Sequence, residues 1–256
     1  MNLTGNIILI TGGGTGIGRG LAEALHAIGN QVIIAGRRKS ALDETTAANP
    51  GMQSIALDVE DPAAIRSFAA QVVANHPALN VLINNAGIMR PEDMKADLVD
   101  LTNSEAIIAI NLLGPLRLTA ALLPHLRRQP SATIINVSSG LAFVPLHVTP
   151  TYCATKAAMH SWSQSLRYQL KSTSVEVLEL APPYVATDLM GGASDPRAMP
   201  LAAYIAEVME ILKTQPTPKE ILVENVKSLR FAEQNGNYDA VFEGLNASLA
   251  DHATHD

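Results

Sequence analysis

Cysteine is almost missing from this chain: Cys153 is the only one among 256 residues. No internal disulfide and no cysteine-based zinc site can form, which points to a reducing compartment and a cytoplasmic protein. Clustered basic charge is missing too. The formal net charge is -6, from 18 Lys and Arg against 24 Asp and Glu, and no Lys/Arg run occurs. That argues against nucleic acid as a partner. No uncharged apolar stretch is long enough to cross a bilayer, so no membrane partner is expected. The opening MNLTGNIILITGGG enters an apolar run without a basic segment before it, unlike a signal peptide. Internal repeats, low-complexity tracts and a composition break between domains are also lacking. The 47% hydrophobic and 16% charged residues exclude a disordered acidic chain and suffice for a sizeable core. One soluble domain over 1–256 is expected.

Short apolar runs alternate with helix-length segments. The expected strands are Asn6–Thr11, Gln31–Ala35, Ser54–Leu57, Val81–Ile83, Thr133–Val137 and Ser174–Leu180. Between them lie helical patterns at Ile17–Ile28, Pro62–Asn75, Ser104–Arg128 and Thr151–Lys171. Continuously apolar strands separated by helices predict an α/β fold, a Rossmann-like doubly wound parallel sheet with helices on both faces. After Leu180 the periodicity weakens into a segment rich in Pro, Gly and Met. In such a sheet ligands bind beyond the carboxyl ends of the strands. Residues 188–225 are therefore the candidate substrate lid, and 226–256 a C-terminal extension.

The stretch TGGGTGIGRG follows the first strand directly. It does not fit G-x-G-x-x-G; its spacing is Gly12-x-x-x-Gly16-x-Gly18. A tight turn, close backbone approach and a helix N-terminus together favour a bound phosphate group. The second strand ends in Ala35-Gly36-Arg37-Arg38 without the acid that an NAD-type site would place there. Asp43 and Glu44 lie beyond it, in the next helix. Two guanidiniums suit a 2′-phosphate, which favours NADP(H).

In TPTYCATKAA, residues 149–158, Thr149 followed by Pro150 reads as an N-cap and a first helical position. Tyr152 and Lys156 then share one helix face, four residues apart. By itself this pattern favours a packed ring beside a snorkelling amine.

With these pieces in order, the chain resembles the short-chain dehydrogenase/reductase family from Leu3 to Leu189. The resemblance is carried by Thr11-Gly12-x-x-x-Gly16-x-Gly18, Asp58-Val59, Asn84-Asn85-Ala86-Gly87, Asn111, Ser138-Ser139, Tyr152-x-x-x-Lys156 and a Pro182…Thr187 turn. It implies that Gly12, Gly14, Thr15, Gly16, Ile17 and Gly18 cradle a pyrophosphate. Asp58 and Val59 would meet the adenine, and Asn85, Ala86 and Gly87 the adenosine ribose. Val185 and Thr187 would hold the nicotinamide carboxamide, with Lys156 and Tyr152 near its ribose. The implied catalytic group is Asn111, Ser139, Tyr152 and Lys156, with Ser139 preferred to Ser138 because the family serine usually lies thirteen residues before the tyrosine. Asn111 would sit at a break in its helix. The C-terminal stretch PTPKEILVENVKSLRFAEQNGNYDAVFEGLNASL, from Pro216, resembles that of the bacterial DltE-like oxidoreductase subgroup and lacks the Val-Asp-Gly-Gly strand on which many family tetramers rely. A homodimer through the long helices is expected, with a tetramer as the other possibility.

The chemistry implied is reversible reduction of a ketone or aldehyde to an alcohol, with no metal. Two unit charges ~4 Å apart at an effective dielectric of ~20 interact by roughly 4 kcal/mol, so Lys156 is expected to favour the Tyr152 phenolate, with desolvation opposing it. Leu141, Phe143, Leu146, Met190 and Met199 suggest an apolar pocket for a small-molecule carbonyl or alcohol. His147 is a candidate substrate contact, whereas His252 and His255 fall in a terminal tail; Trp162 reads as core, and Cys153 as packing. Two other readings stand beside this one: a nucleotide-binding regulatory or scaffold protein of the same fold without turnover, and an S-adenosylmethionine methyltransferase, which would want an acid near the second strand and gives the Tyr/Lys pair no purpose.

Overall fold

The computed structural model describes residues 1–190, 195–215 and 217–250, without the side chains of 190 and 248–250. Its strands are β1 Ile7–Thr11, β2 Gln31–Gly36, β3 Gln53–Ala56, β4 Val81–Asn84, β5 Ala132–Val137, β6 Val175–Leu180 and a two-residue β7, Glu220–Ile221. They form one parallel sheet in the order β3-β2-β1-β4-β5-β6-β7. The order reverses between β1 and β4, which opens a crevice at the carboxyl ends of those strands.

Helices α1 Gly16–Ala27, α2 Lys39–Ala48, α3 Pro62–Asn75, α4 Thr102–Ile108, α5 Gly114–Leu126, α6 Pro150–Gln169, α7 Leu201–Thr214, α8 Lys227–Arg230 and α9 Tyr238–Ala250 surround the sheet. Side chains alternate across the strands. Ile8 and Ile10 of β1 face Leu21 and Leu25 of α1 and Tyr204 and Val208 of α7. Leu9 faces the other way, toward Ile65 and Phe68 of α3, Leu118 and Leu122 of α5 and Leu166 of α6; Trp162 packs at the margin of this second core. Each fully buried aliphatic side chain contributes about 1.5–3 kcal/mol, so a strand buried on both faces is locked in register.

The expected helix Ser104–Arg128 is α4 and α5 joined by a π-helical turn, Ala109–Leu113, with Asn111 inside it. By length and mean hydropathy, Thr102–Leu126 is the one stretch among the described residues with the dimensions of a membrane span. Arg117 interrupts it, and its apolar face packs in the second core. Residues 188–225 contain an anchored helix: α7 buries Tyr204, Ile205, Val208 and Leu212 against the sheet. Residues 191–194 and 216 of the expected lid, and His252 and His255, lie outside the described residues. The extension from 226 folds back over the sheet end, where Val226 and Leu229 press on Gly140.

The start of α6 departs from expectation. Thr149 holds the N-cap position without a side-chain cap bond. The first turn is satisfied from far along the chain by Glu92, which accepts from the Thr151 N–H (3.0 Å) and the Thr151 hydroxyl (2.6 Å), and from Ser104 (2.5 Å). Burial raises the Glu92 pKa, but the bonds from Ser104 and Thr151 outweigh it and leave the carboxyl below its ordinary value. A carboxylate at this end also complements the helix dipole.

Candidate active site

The glycine loop turns out of β1 directly into α1. Gly16 has φ +54°, a conformation that favours glycine, and a Cβ built there meets Thr187 at 3.4 Å. At Gly18 a Cβ would fall 2.2 Å from the Gly12 carbonyl oxygen, so only hydrogen fits. Gly14 backs onto Ala41 of α2, and Ile17 packs beside the first core. Thr15 takes the N-cap position in extended conformation with no side-chain bond to the first turn of α1. The loop thus presents backbone and a helix N-terminus, a surface suited to an anion. Arg38 lies across it, donating Nη2 to the Thr15 hydroxyl (3.0 Å). Arg37, half exposed, is 4.0 Å from Glu60. Asp43 and Glu44 lie in α2, paired with Lys39 and Arg19.

A loop after β4 closes the crevice. Thr11 holds it: its hydroxyl accepts from the N–H groups of Asn85 (3.1 Å) and Ala86 (3.0 Å), while the Asn85 amide donates to the Thr11 carbonyl (3.0 Å). The sequence contains Thr11 within the motif but does not reveal this clamp, which joins residues 74 and 75 positions apart. Asn84 instead serves the framework, donating to Asn136 across the β4–β5 pair (2.8 Å). The Asp58 carboxylate accepts from the Glu60 N–H (3.0 Å), and Val59 is buried against Gly114. Val185 bridges to Met199, placing the turn that carries Thr187 against Gly16.

The four expected catalytic residues converge. Tyr152 and Lys156 project from one face of α6, with the ammonium 5.5 Å from the ring centroid. Ser139, just past the end of β5, faces the Tyr152 phenol and lowers its pKa. Its Oγ also accepts from the Leu141 N–H (3.1 Å). Ser138 points elsewhere, to Glu179. Lys156 Nζ donates to the Val137 carbonyl (2.9 Å), and a Cβ on Gly87 would sit 3.8 Å from that nitrogen. The Asn111 amide is held by Ile88, accepting from its N–H (2.9 Å) and donating to its carbonyl (2.8 Å).

Burial governs the charges. It pushes the Tyr152 phenol up to about 12 despite Ser139, which pulls it down. It pushes the Lys156 ammonium down to about 8, against the charge of Glu179. Desolvation thus sets the Tyr152 pKa, and the expected lowering by Lys156 does not appear in the folded chain.

Leu141 and Leu146 flank Tyr152 with Ile107, Ile88, Met89 and, from α9, Leu245. The other expected pocket residues sit elsewhere. Phe143 meets His160 edge-on and lies under Arg230, Met199 packs against the first core, and the Met190 side chain lies outside the described residues. His147 is tied to Asn246 of α9 through its N–H (2.7 Å) and Nδ1 (2.8 Å). Cys153 is buried beside Leu146 and Thr149.

Residues 6–198 match the short chain dehydrogenase family model. The chain belongs to the short chain dehydrogenase family. This dehydrogenase is 42% identical over 251 residues to an uncharacterized oxidoreductase, DltE, of Bacillus subtilis, covering 96% of this chain and 98% of that relative. A short-chain dehydrogenase structure from Streptomyces avermitilis superposes with TM-score 0.79 at 28% identity, over 97% of both chains. Another, from Burkholderia cenocepacia in complex with NADP, gives 0.80 at 24% identity over 96% and 99%, a likeness of fold. The dehydrogenase is thus an oxidoreductase of a family that binds nicotinamide cofactors.

Proposed function

We propose that this dehydrogenase is an NADPH-dependent carbonyl reductase, reversible as an alcohol dehydrogenase. The observation that carries the reading is the buried Tyr152 phenol beside Ser139, backed by the Lys156 ammonium on the same helix face, 5.5 Å from the ring centroid.

A nicotinamide dinucleotide fits the residues present. The uncapped start of α1 and the side-chain-free glycine loop suit the pyrophosphate. Asp58 and Val59 suit the adenine, Asn85, Ala86 and Gly87 the adenosine ribose, and Val185 and Thr187 the carboxamide. Arg37 and Arg38 at the end of β2 supply the charge for a 2′-phosphate; the exposed Arg37–Glu60 contact is weak enough to yield to it. When bound, the reduced nicotinamide supplies the hydride.

The protein's share is the proton. Tyr152, with its phenol at about 12, carries its proton at neutral pH and donates it to the oxygen of the reduced carbonyl. Ser139 hydrogen-bonds that oxygen and orients it. The Lys156 ammonium stabilises the phenolate left behind and would also hold the cofactor ribose. Asn111, locked to Ile88 in the π turn, positions the water that links Lys156 to solvent. Leu141, Leu146 and Leu245 make the substrate wall apolar. A cytoplasmic homodimer completes the reading.

The test is NADPH and NADH oxidation over a panel of ketones, aldehydes and diketones, with Tyr152→Phe beside the parent. Turnover should favour NADPH, and Tyr152→Phe should lose about 10²–10⁴-fold in rate with NADPH affinity retained. Faster use of NADH overturns the reading of Arg37 and Arg38. Parental turnover by Tyr152→Phe overturns the catalytic assignment. NADPH binding with no turnover over the panel returns the protein to a regulatory or scaffold role.

A further inference from the structure

Behind the proposed catalytic group lies a carboxylate that the sequence does not single out. Glu179, on β6, is completely buried. Its Oε1 accepts from the Ser138 hydroxyl (2.5 Å) and its Oε2 from His160 Nδ1 (2.8 Å). Gln164 Nε2 lies 2.9 Å from the other ring nitrogen of His160, an arrangement that leaves the ring proton on Nδ1, facing the acid. Tyr152, Lys156, His160 and Gln164 are spaced four residues apart along one face of α6. Ser138 separates Val137, whose carbonyl holds the Lys156 ammonium, from Ser139, which faces the Tyr152 phenol. The acid therefore grips the middle of the segment that carries two of the proposed site's contacts.

The charges around Glu179 come from every element packed near it. From α6 come His160 and Lys156, with Arg167 further along, bonded to the Val177 and Lys219 carbonyls. Glu220 of β7 lies 3.6 Å from His160 and is neutralised by Arg230 of α8 at 3.1 Å. His160, Glu179 and Glu220 bring donor atoms within 4.8 Å of one another, as a metal site would. His160 Nδ1 and Glu179 Oε2 already serve each other and Glu220 serves Arg230, so the group is a charge network. With Glu220 matched to Arg230, Lys156 stands one helical turn before His160, its Nζ on the carbonyl next to Ser138, and the Glu179 charge raises its pKa.

We propose that Glu179 is a positioning residue for the Tyr152/Lys156 pair, pinning the Val137–Ser139 segment through Ser138 and supplying the counter-charge that keeps the buried Lys156 protonated. The inference rests on the reading of Tyr152 and Lys156 as the proton-transfer pair. A fixed anion close to a buried ammonium offsets part of its desolvation. A serine held from behind also loses less freedom when its neighbour meets substrate.

The test is Glu179→Gln, which keeps the shape and an acceptor oxygen but removes the charge. In protein purified without cofactor, the Lys156 titration is followed by NMR of 13C-labelled lysine, assigned by comparison with Lys156→Met. The midpoint, about 8 in the parent, should fall by about one unit. The high-pH limb of kcat for carbonyl reduction should move down by the same amount, with KM for NADPH little changed. Glu179→Asp, which restores the charge, should restore the limb. Ser138→Ala keeps the charge and tests the pinning, also serving if Glu179→Gln does not fold: kcat should drop by roughly ten- to a hundredfold with the Lys156 midpoint unmoved. An unmoved midpoint and limb in Glu179→Gln, or a parental kcat in Ser138→Ala, overturns the corresponding half of the proposal. A parent that reduces no carbonyl compound defeats the proposed function, whereas the Lys156 midpoint still decides the counter-charge.

Discussion

Lys156 illustrates how the site trades stability for chemistry. Its folded pKa, about 8, lies below the ordinary 10.5, so between those values the unfolded chain binds more protons than the folded one. Stability therefore rises with pH across that window, and below about pH 8 the buried ammonium costs about 3 kcal/mol. Tyr152 works in the opposite sense: its folded pKa of about 12 exceeds the ordinary 10, so stability falls as pH climbs from 10 to 12. Lys156→Met should accordingly abolish reduction yet stabilise the protein at pH 7 by about 1–2 kcal/mol, the remainder going to the partly unbalanced Glu179. Thermal unfolding with pH checks this. The gain in Tm should shrink from pH 8 toward 10.5; a variant less stable than the parent at pH 7 would contradict it.

Among the elements, α6 and α9 cooperate in shaping the space before Tyr152. The first turn of α6 is fixed by Glu92, so the Tyr/Lys face is aimed by a residue 60 positions upstream of the phenol. Helix α9 reaches over the same end. Asn246 donates to the Pro145 carbonyl (3.1 Å) and accepts from His147, while Leu245 joins the apolar wall. The contact His147 makes is thus with the tail, which in turn holds the wall. Asn246→Ala should loosen α9 at a cost of about 1–2 kcal/mol. Steady-state kinetics should show KM for the carbonyl compound raised several-fold while KM for NADPH stays within twofold. Equal changes in both would mean that α9 supports the whole fold and not the substrate wall.

At the scale of the molecule, the parallel order places the glycine loop, Asn85–Gly87, Ser139 and Thr187 at the same end of the sheet, so all of them border one crevice. On a flank, Met94, Leu98, Val99, Leu101 and Ile108 are exposed, and Met94 and Ile108 line a shallow apolar depression with Leu112, Pro150 and Ala154. Such a strip running between α4 and α6 suits a second copy of the chain. The protein should sediment at twice the monomer mass, and Ile108→Arg should shift it to monomer at micromolar concentration. A monomeric parent, or a dimer unaffected by the arginine, would move the interface elsewhere.

Much of this was legible in the chain itself because it depends on local geometry. Strand after strand, apolar runs flanked by helix-length segments leave few arrangements besides a parallel sheet, and Tyr152 and Lys156 share a face whatever surrounds their helix. The basic end of β2 belongs to the same class of local signal, whereas the break at Asn111 was implied only by the family resemblance. Other features depend on which strands become neighbours. The Thr11 clamp, Glu92 at the start of α6, Glu179 behind Ser138 and the α9 wall join residues from 41 to 101 positions apart. No spacing rule links such pairs; they meet only once the sheet order brings β1 beside β4, and β5 beside β6. The same holds for Phe143, apolar in the sequence but committed to His160 and Arg230 by the fold, and for β7, too short to carry a period. Helical and strand periodicity thus determined which side chains could carry the chemistry. Tertiary burial decided their charge, because desolvation depends on everything packed around a group and not on its neighbours in the chain.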